Sequence, residues 1–232
     1  MLHLRKAGDR GPTNLGWLDS RHTFSFGRYY DPRFSGFRDL LVINEDRVAP
    51  GAGFPSHPHS DMEILSYVVA GALEHRDSLG NGSVIHPGEL QRMSAGTGIR
   101  HSEHNASTTE PVHFLQIWIN PERNGIEPSY EQKRLPAPDG TSRLDLIGSR
   151  DGRGGSVTIH QDVDLYRATV RAGDTLSLDI RDGRAAWVQA VAGRATVSGT
   201  SISQGDGLAL TSEDEVRVTA EEDAELLMFD LA

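Results

Sequence analysis

Two histidines one residue apart, in the run His57-Pro-His59, are the first side chains in this sequence with the means to do chemistry. Alternate residues of an extended strand point to the same side, so both imidazoles can converge on one metal ion. The pair alone says little, since ten histidines in 232 residues produce about 0.4 such pairs by chance. The chain has no cysteine, so a metal must be held by imidazole and carboxylate rather than thiolate. Groups of that kind recur at Glu63, His101 and Glu103, the last two again at alternate positions.

The elements that must position them read as short strands. Glycine and proline punctuate the chain at short intervals, and the runs between them are apolar and strand-like: Leu40 to Ile43, Ile64 to Val69, Phe114 to Ile119 and Ala186 to Val191. No segment shows the 3.6-residue apolar spacing of a long amphipathic helix, so the expected class is all-β, a sandwich or barrel. The stretch from Asn120 to Ser156 holds four prolines and a Gly-rich patch. It reads as a crossing between two domains, or else as one long decorated loop. Val69-Ala-Gly-Ala followed by Pro87-Gly-Glu-Leu-Gln-Arg-Met has a counterpart in Val191-Ala-Gly-Arg followed by Gln204-Gly-Asp-Gly-Leu-Ala-Leu, the pattern of a duplicated antiparallel unit. On that alignment the counterpart of the His57 region falls near Leu178 to Arg181, which contains no histidine.

The context of the histidine pair is more specific than the pair. Gly51-x5-His57-x-His59-x3-Glu63 is followed by apolar Ile64 to Val69, by Gly71, and later by Gly98-x2-His101-x3-Asn105. This resembles the two motifs of the cupin superfamily. There the first supplies two histidines and a glutamate, and the second a further histidine from a neighbouring strand. The last glycine of the first motif comes one residue late, and the usual Pro-x-Gly of the second reads Gly96-x-Gly98, but neither departure removes a ligand. Together with Ala95-Gly-Thr-Gly-Ile-Arg-His101-Ser-Glu103 and the opening Trp17-Leu-Asp-Ser-Arg-His-Thr-Phe-Ser-Phe26, the chain resembles the pirin family. The resemblance covers most of residues 1–133 by motif and the remainder by general layout.

That resemblance implies two tandem jelly-roll cupin barrels: a metal-binding domain over 1–133, a crossing over 134–155, and a second barrel over 156–232 without metal. It implies one divalent ion, iron(II) by preference over zinc, nickel, manganese or copper, on His57, His59, His101 and Glu103. Glu103 then takes the place of Glu63, which is left to accept from an imidazole N–H. Three neutral imidazoles and one carboxylate give a centre of net charge +1 with two open octahedral positions, suited to dioxygen chemistry, although four protein ligands also suit a closed zinc site. The implied activity is opening of a flavonol such as quercetin with O2 and release of CO, with Glu103 as the catalytic base. The resemblance also admits an iron-dependent regulatory protein that modulates a transcription factor or a metabolic enzyme. A cupin isomerase or hydrolase is a third reading. His22, His104 and His113 are expected to be surface or hydrogen-bonded strand residues, and Phe24, Phe26, Phe54, Met93, Phe114 and Trp118 core material, a subset of them lining the pocket. Gln116, on an apolar strand, needs a buried partner.

Composition sets the outer bounds. With 37% hydrophobic and 24% charged residues this is an ordinary globular chain. A net charge of -10 without a basic stripe argues against direct nucleic-acid binding. No apolar run approaches the length of a membrane span, and the first residues lack the apolar centre of a signal peptide, so a cytoplasmic location is expected; a monomer is the expected state.

Overall fold

Each glycine- or proline-bounded apolar run forms a strand. The computed structural model describes residues 1–137 and 139–232, so that Pro138 of the expected crossing lies outside the described residues. Among them are 22 strands, two short 3-10 turns and no α-helix. In chain order the strands are β1 (Leu2–Arg5), β2 (Gly11–Asn14), β3 (Leu18–His22), β4 (Leu40–Val48), β5 (Gly53–His59), β6 (Glu63–Ala70), β7 (Leu73–Asp77), β8 (Gly82–Ile85), β9 (Glu89–Ser94), β10 (Ile99–Asn105) and β11 (Val112–Ile119). They continue as β12 (Ser129–Arg134), β13 (Arg143–Ser149), β14 (Val157–Thr158), β15 (Val163–Val170), β16 (Thr175–Asp179), β17 (Ala185–Ala192), β18 (Arg194–Val197), β19 (Thr200–Ser203), β20 (Gly207–Thr211), β21 (Glu215–Ala220) and β22 (Ala224–Leu231).

The strands belong to two compact units, one of Gly11–Leu135 with Val157–Gln161, the other of Met1–Arg10, Pro136–Ser156 and Asp162–Ala232. This division differs from a cut at 134–155, for reasons of backbone pairing. β1 lies antiparallel to β20, Leu2 opposite Leu210, which carries the first residues into the second unit. The expected crossing contains β13, which pairs with β15. Residues 157–161 join the first unit, where the Thr158 amide donates to Glu131 and the Gln161 side chain to the Asn120 carbonyl.

In the first unit one sheet runs β12-β9-β6-β11-β4-β3-β2 and the other β5-β10-β7-β8, the strand order of a jelly roll. Val68, Val112 and Phe114 of the first sheet and Leu73 and Ile85 of the second share one apolar cluster. The second unit repeats the order, β20-β17-β22-β15 beside β16-β21-β18-β19, and closes its own larger cluster. The duplication read from the sequence thus falls on equivalent strands. Gly71 after β6 and Gly193 after β17 both have positive φ, 78° and 74°, and a Cβ on either would meet a backbone carbonyl oxygen, Pro111 or Asp223. Only glycine fits such a turn. No helix among the described residues is long and apolar enough to cross a membrane.

Candidate metal centre

The antiparallel register of β5 and β10 brings the motif residues together. His57 lies opposite His101 and His59 opposite Ile99. Along β10 alternate residues are buried, so His101 and Glu103 point inward together. A register shift follows His101, setting Glu103 opposite Phe54. Such a bulge re-aims one side chain without ending the ladder.

The His57, His59 and His101 rings stand 4.5–4.9 Å apart, centroid to centroid. One ligand atom from each can be chosen so that all lie within 4.8 Å of one another. Nδ1 of His57 donates to the Pro55 carbonyl at 2.8 Å, which fixes the tautomer and leaves the Nε2 lone pair for a ligand. His101 is 2% exposed, and neither of its ring nitrogens has a hydrogen-bond partner. A buried imidazole with both nitrogens unpartnered is costly in an apolar setting and gains a partner when a cation binds. Burial, reinforced by His57, lowers the His59 pKa to about 4. Burial, then His57, His59 and His75, holds His101 well below the ordinary histidine value. Both rings are therefore neutral near pH 7, the state a metal requires. The donor set fits a divalent ion.

Glu103 is fully buried, and burial raises its carboxyl to about 7 against the opposing bond from Ser66. Oε1 faces the Ser66 hydroxyl at 3.0 Å, and Oε2 accepts from the Gln116 amide at 2.6 Å. The same hydroxyl also lies 2.9 Å from Oε1 of Gln116. One hydroxyl proton cannot serve both acceptors at once, so Glu103 and Gln116 share the Ser66 hydroxyl. Gln116 finds its partners here, in Glu103 and Ser66.

A histidine that sequence reasoning missed completes the surroundings. His75, 0% exposed on β7, groups with His101 and Glu103 within 4.8 Å as a second set of ligating atoms. Its Nε2 donates to Asp77 at 3.2 Å, while its Nδ1 has no partner. The signal available was His75-x-Asp77, the same alternation that flagged His57 and His59.

Glu63 stands elsewhere. Its Oε2 accepts from Ser94 Oγ at 3.0 Å and from the His160 backbone at 3.1 Å, with His160 Nδ1 at 3.2 Å. The imidazole it serves is thus His160 and not one of the convergent three. His22 and His113 are hydrogen-bonded strand residues, to Thr13 and Asn44 in one case and to Glu45 in the other. Phe24, Met93 and Phe114 are core, whereas Phe26, Phe54 and Trp118 line a cavity of about 450 Å³ into which His57, His59 and Glu103 also face. That volume is in the range of small-molecule sites, about 300–1,000 Å³. Trp118 stands edge-on to His59 at 5.0 Å and to Phe26 at 5.4 Å, a T-shaped stack over the centre. In the second unit Leu178 and Val216 are register partners and both belong to the apolar core.

Comparison with known proteins agrees over the whole length. A family model described as Pirin matches residues 4–119, and one described as Quercetinase C-terminal cupin domain matches residues 146–231. The chain is 51% identical over 231 residues to a protein of Escherichia coli strain K12 named Quercetin 2,3-dioxygenase, covering 100% of this chain and 99% of that one. It is 39% identical over 230 residues to a pirin-like protein of Caulobacter vibrioides, covering 98% and 99%. The crystal structure of an Escherichia coli bacterial pirin in complex with nickel(II) superimposes with a TM-score of 0.96 at 50% identity, covering 100% of this chain and 99% of that one.

Proposed function

This chain belongs to the pirin family of the cupin superfamily, and we propose from that premise that it is a metal-dependent dioxygenase that opens a flavonol such as quercetin with O2 and releases CO. The observation that carries the reading is the convergence of three imidazoles, one buried with both nitrogens unpartnered and the other two lining a pocket walled by aromatic rings. The relative's name, Quercetin 2,3-dioxygenase, supports the substrate class.

The residues that would hold the ion are His57, His59, His101 and Glu103, and we assign iron(II) as the resident metal. When bound, the ion supplies Lewis acidity toward a substrate hydroxyl and the redox capacity that dioxygen chemistry needs. The protein's share is positioning and proton transfer. Phe26, Phe54 and Trp118 hold a flat aromatic substrate and exclude water from it. Glu103 takes the proton of the substrate hydroxyl, and Ser66 and Gln116 hold its carboxyl in place. The Pro55 carbonyl keeps His57 in the tautomer that offers Nε2.

The test is elemental analysis of freshly purified protein with an aerobic quercetin assay following O2 uptake and CO together. Iron-dependent turnover with CO release is the expected result. A His101→Ala protein that loses its metal yet turns over quercetin unchanged would defeat the assignment.

A further inference from the structure

One wall of the pocket is polar where a barrel interior is ordinarily apolar. Ser20 and His22 on β3 lie opposite Asp46 and Asn44 on β4. All four are at least nine-tenths buried, and all line the cavity that holds His57, His59 and Glu103. The row continues across the sheet, Asn44 opposite Gln116 and Gln116 opposite Ser66. Most of the wall is internally satisfied. His22 donates from Nδ1 to Asn44 Oδ1 at 2.7 Å, and Thr13 lies 2.8 Å from its Nε2.

Asp46 is the exception. Its carboxyl is held by the Ser20 hydroxyl, yet Oδ1 is buried and has no hydrogen-bond partner. A carboxyl with an unmet oxygen is a penalty inside a closed core, whereas a residue on a pocket wall can turn that carboxyl to a ligand donor. Once ionised, an acceptor in a low-dielectric wall favours an acidic O–H over an aliphatic one and selects strongly against a ligand that lacks the donor. The aromatic rings of Phe26, Phe54 and Trp118 on the same cavity select a flat ring to carry that hydroxyl.

We propose that Asp46 is the specificity-determining residue of this pocket, its carboxyl accepting a hydrogen bond from a ring hydroxyl of a polyphenolic substrate, separate from the hydroxyl that meets the metal. This rests on the flavonol reading above and deepens it, by stating which flavonols the pocket prefers. Polyhydroxylated rings bind well, and a flavonol with only its 3-hydroxyl binds poorly.

The test is equilibrium binding under anaerobic conditions, read by tryptophan fluorescence of the metal-loaded protein at about pH 8, where a carboxyl raised by burial is ionised. The ligands are quercetin, kaempferol, galangin and 3-hydroxyflavone, which share the 3-hydroxyl and 4-carbonyl and differ in their other ring hydroxyls. Quercetin should bind the wild type about tenfold or more tighter than 3-hydroxyflavone, the value of a hydrogen bond to a charged group. In Asp46→Asn that ratio should fall about fivefold with the affinity for 3-hydroxyflavone nearly unchanged. Equal binding of all four ligands by the wild type would overturn the proposal even if the variant did not fold, as would a variant that keeps the wild-type ratio. An intact ligand ranking without CO release would instead refute the flavonol-opening reading and leave the role of Asp46 standing.

Discussion

The side-chain amide of Gln116 donates to the buried carboxyl of Glu103 across 2.6 Å, joining β11 to the strand that carries His101. Ser66 on β6 touches both residues, so three strands hold one carboxyl. Each bond favours the charged form of Glu103, against a burial that favours the neutral one.

Replacing Gln116 by leucine should therefore raise the pH needed to load the metal. A hydrogen bond to a charged group contributes about 1.5–3 kcal/mol, or about one to two pKa units. Metal titrations at several pH values should show the half-loading pH of Gln116→Leu moving up by about that amount, with full occupancy regained above it. An unmoved midpoint would mean that Gln116 serves only to pack β11.

The pH dependence of the wild type follows from the same carboxyl. His59 and His101 are already neutral well below pH 7, so the proton that Glu103 holds up to about 7 competes with the ion. Affinity should fall about tenfold per pH unit lost below that value. Stability without metal has its own sign. Glu103 goes from 4.5 to about 7 in the fold, so its contribution is full below 4.5 and lost as pH rises through 7. His59 goes from 6.5 to about 4, so its contribution is present above 6.5 and lost as pH falls through 4. Chelated Glu103→Gln should consequently be more stable than chelated wild type at about pH 8, as read by urea unfolding.

The histidine pair was legible in the sequence because strand alternation and the second motif act together, and β5 with β10 realise both. The paired glycines 71 and 193 made the duplicated barrel legible, since each occupies a turn that excludes a side chain. Asp46 was not legible, and His75 showed only as one half of the alternation His75-x-Asp77, for a physical reason. Their roles depend on which strands lie side by side, and β7 meets β10, or β4 meets β3, through hydrogen bonds between residues distant in the chain. Residues 157–161 escaped the domain reading in the same way, because their partners Glu131 and Asn120 lie far upstream.

Gly71 offers a check on the fold alone. Its φ of 78° and the Pro111 oxygen 2.6 Å from a would-be Cβ combine left-handed strain with a backbone clash, so Gly71→Ala should cost about 2 kcal/mol or more. The urea midpoint measures it, and Gly193→Ala should behave alike in the second unit. A neutral result at either would argue against a shared constraint on the two turns.

The two glutamates separate structure from site. Glu63 receives donors from Ser94 and from the His160 backbone, with the His160 ring beside it, and lies outside both groups of metal-capable side chains. Glu63→Ala leaves those donors without an acceptor and should cost about 2–3 kcal/mol of folding stability, while iron content stays at the wild-type level. Glu103→Ala should do the reverse. It removes a carboxyl whose ionised form is disfavoured by burial, so metal-free stability near neutral pH changes little, while affinity for the ion falls at least about tenfold. Elemental content and urea midpoints on the two proteins decide the matter, and a Glu63 variant that folds as well as wild type but has lost its metal would exchange the two assignments.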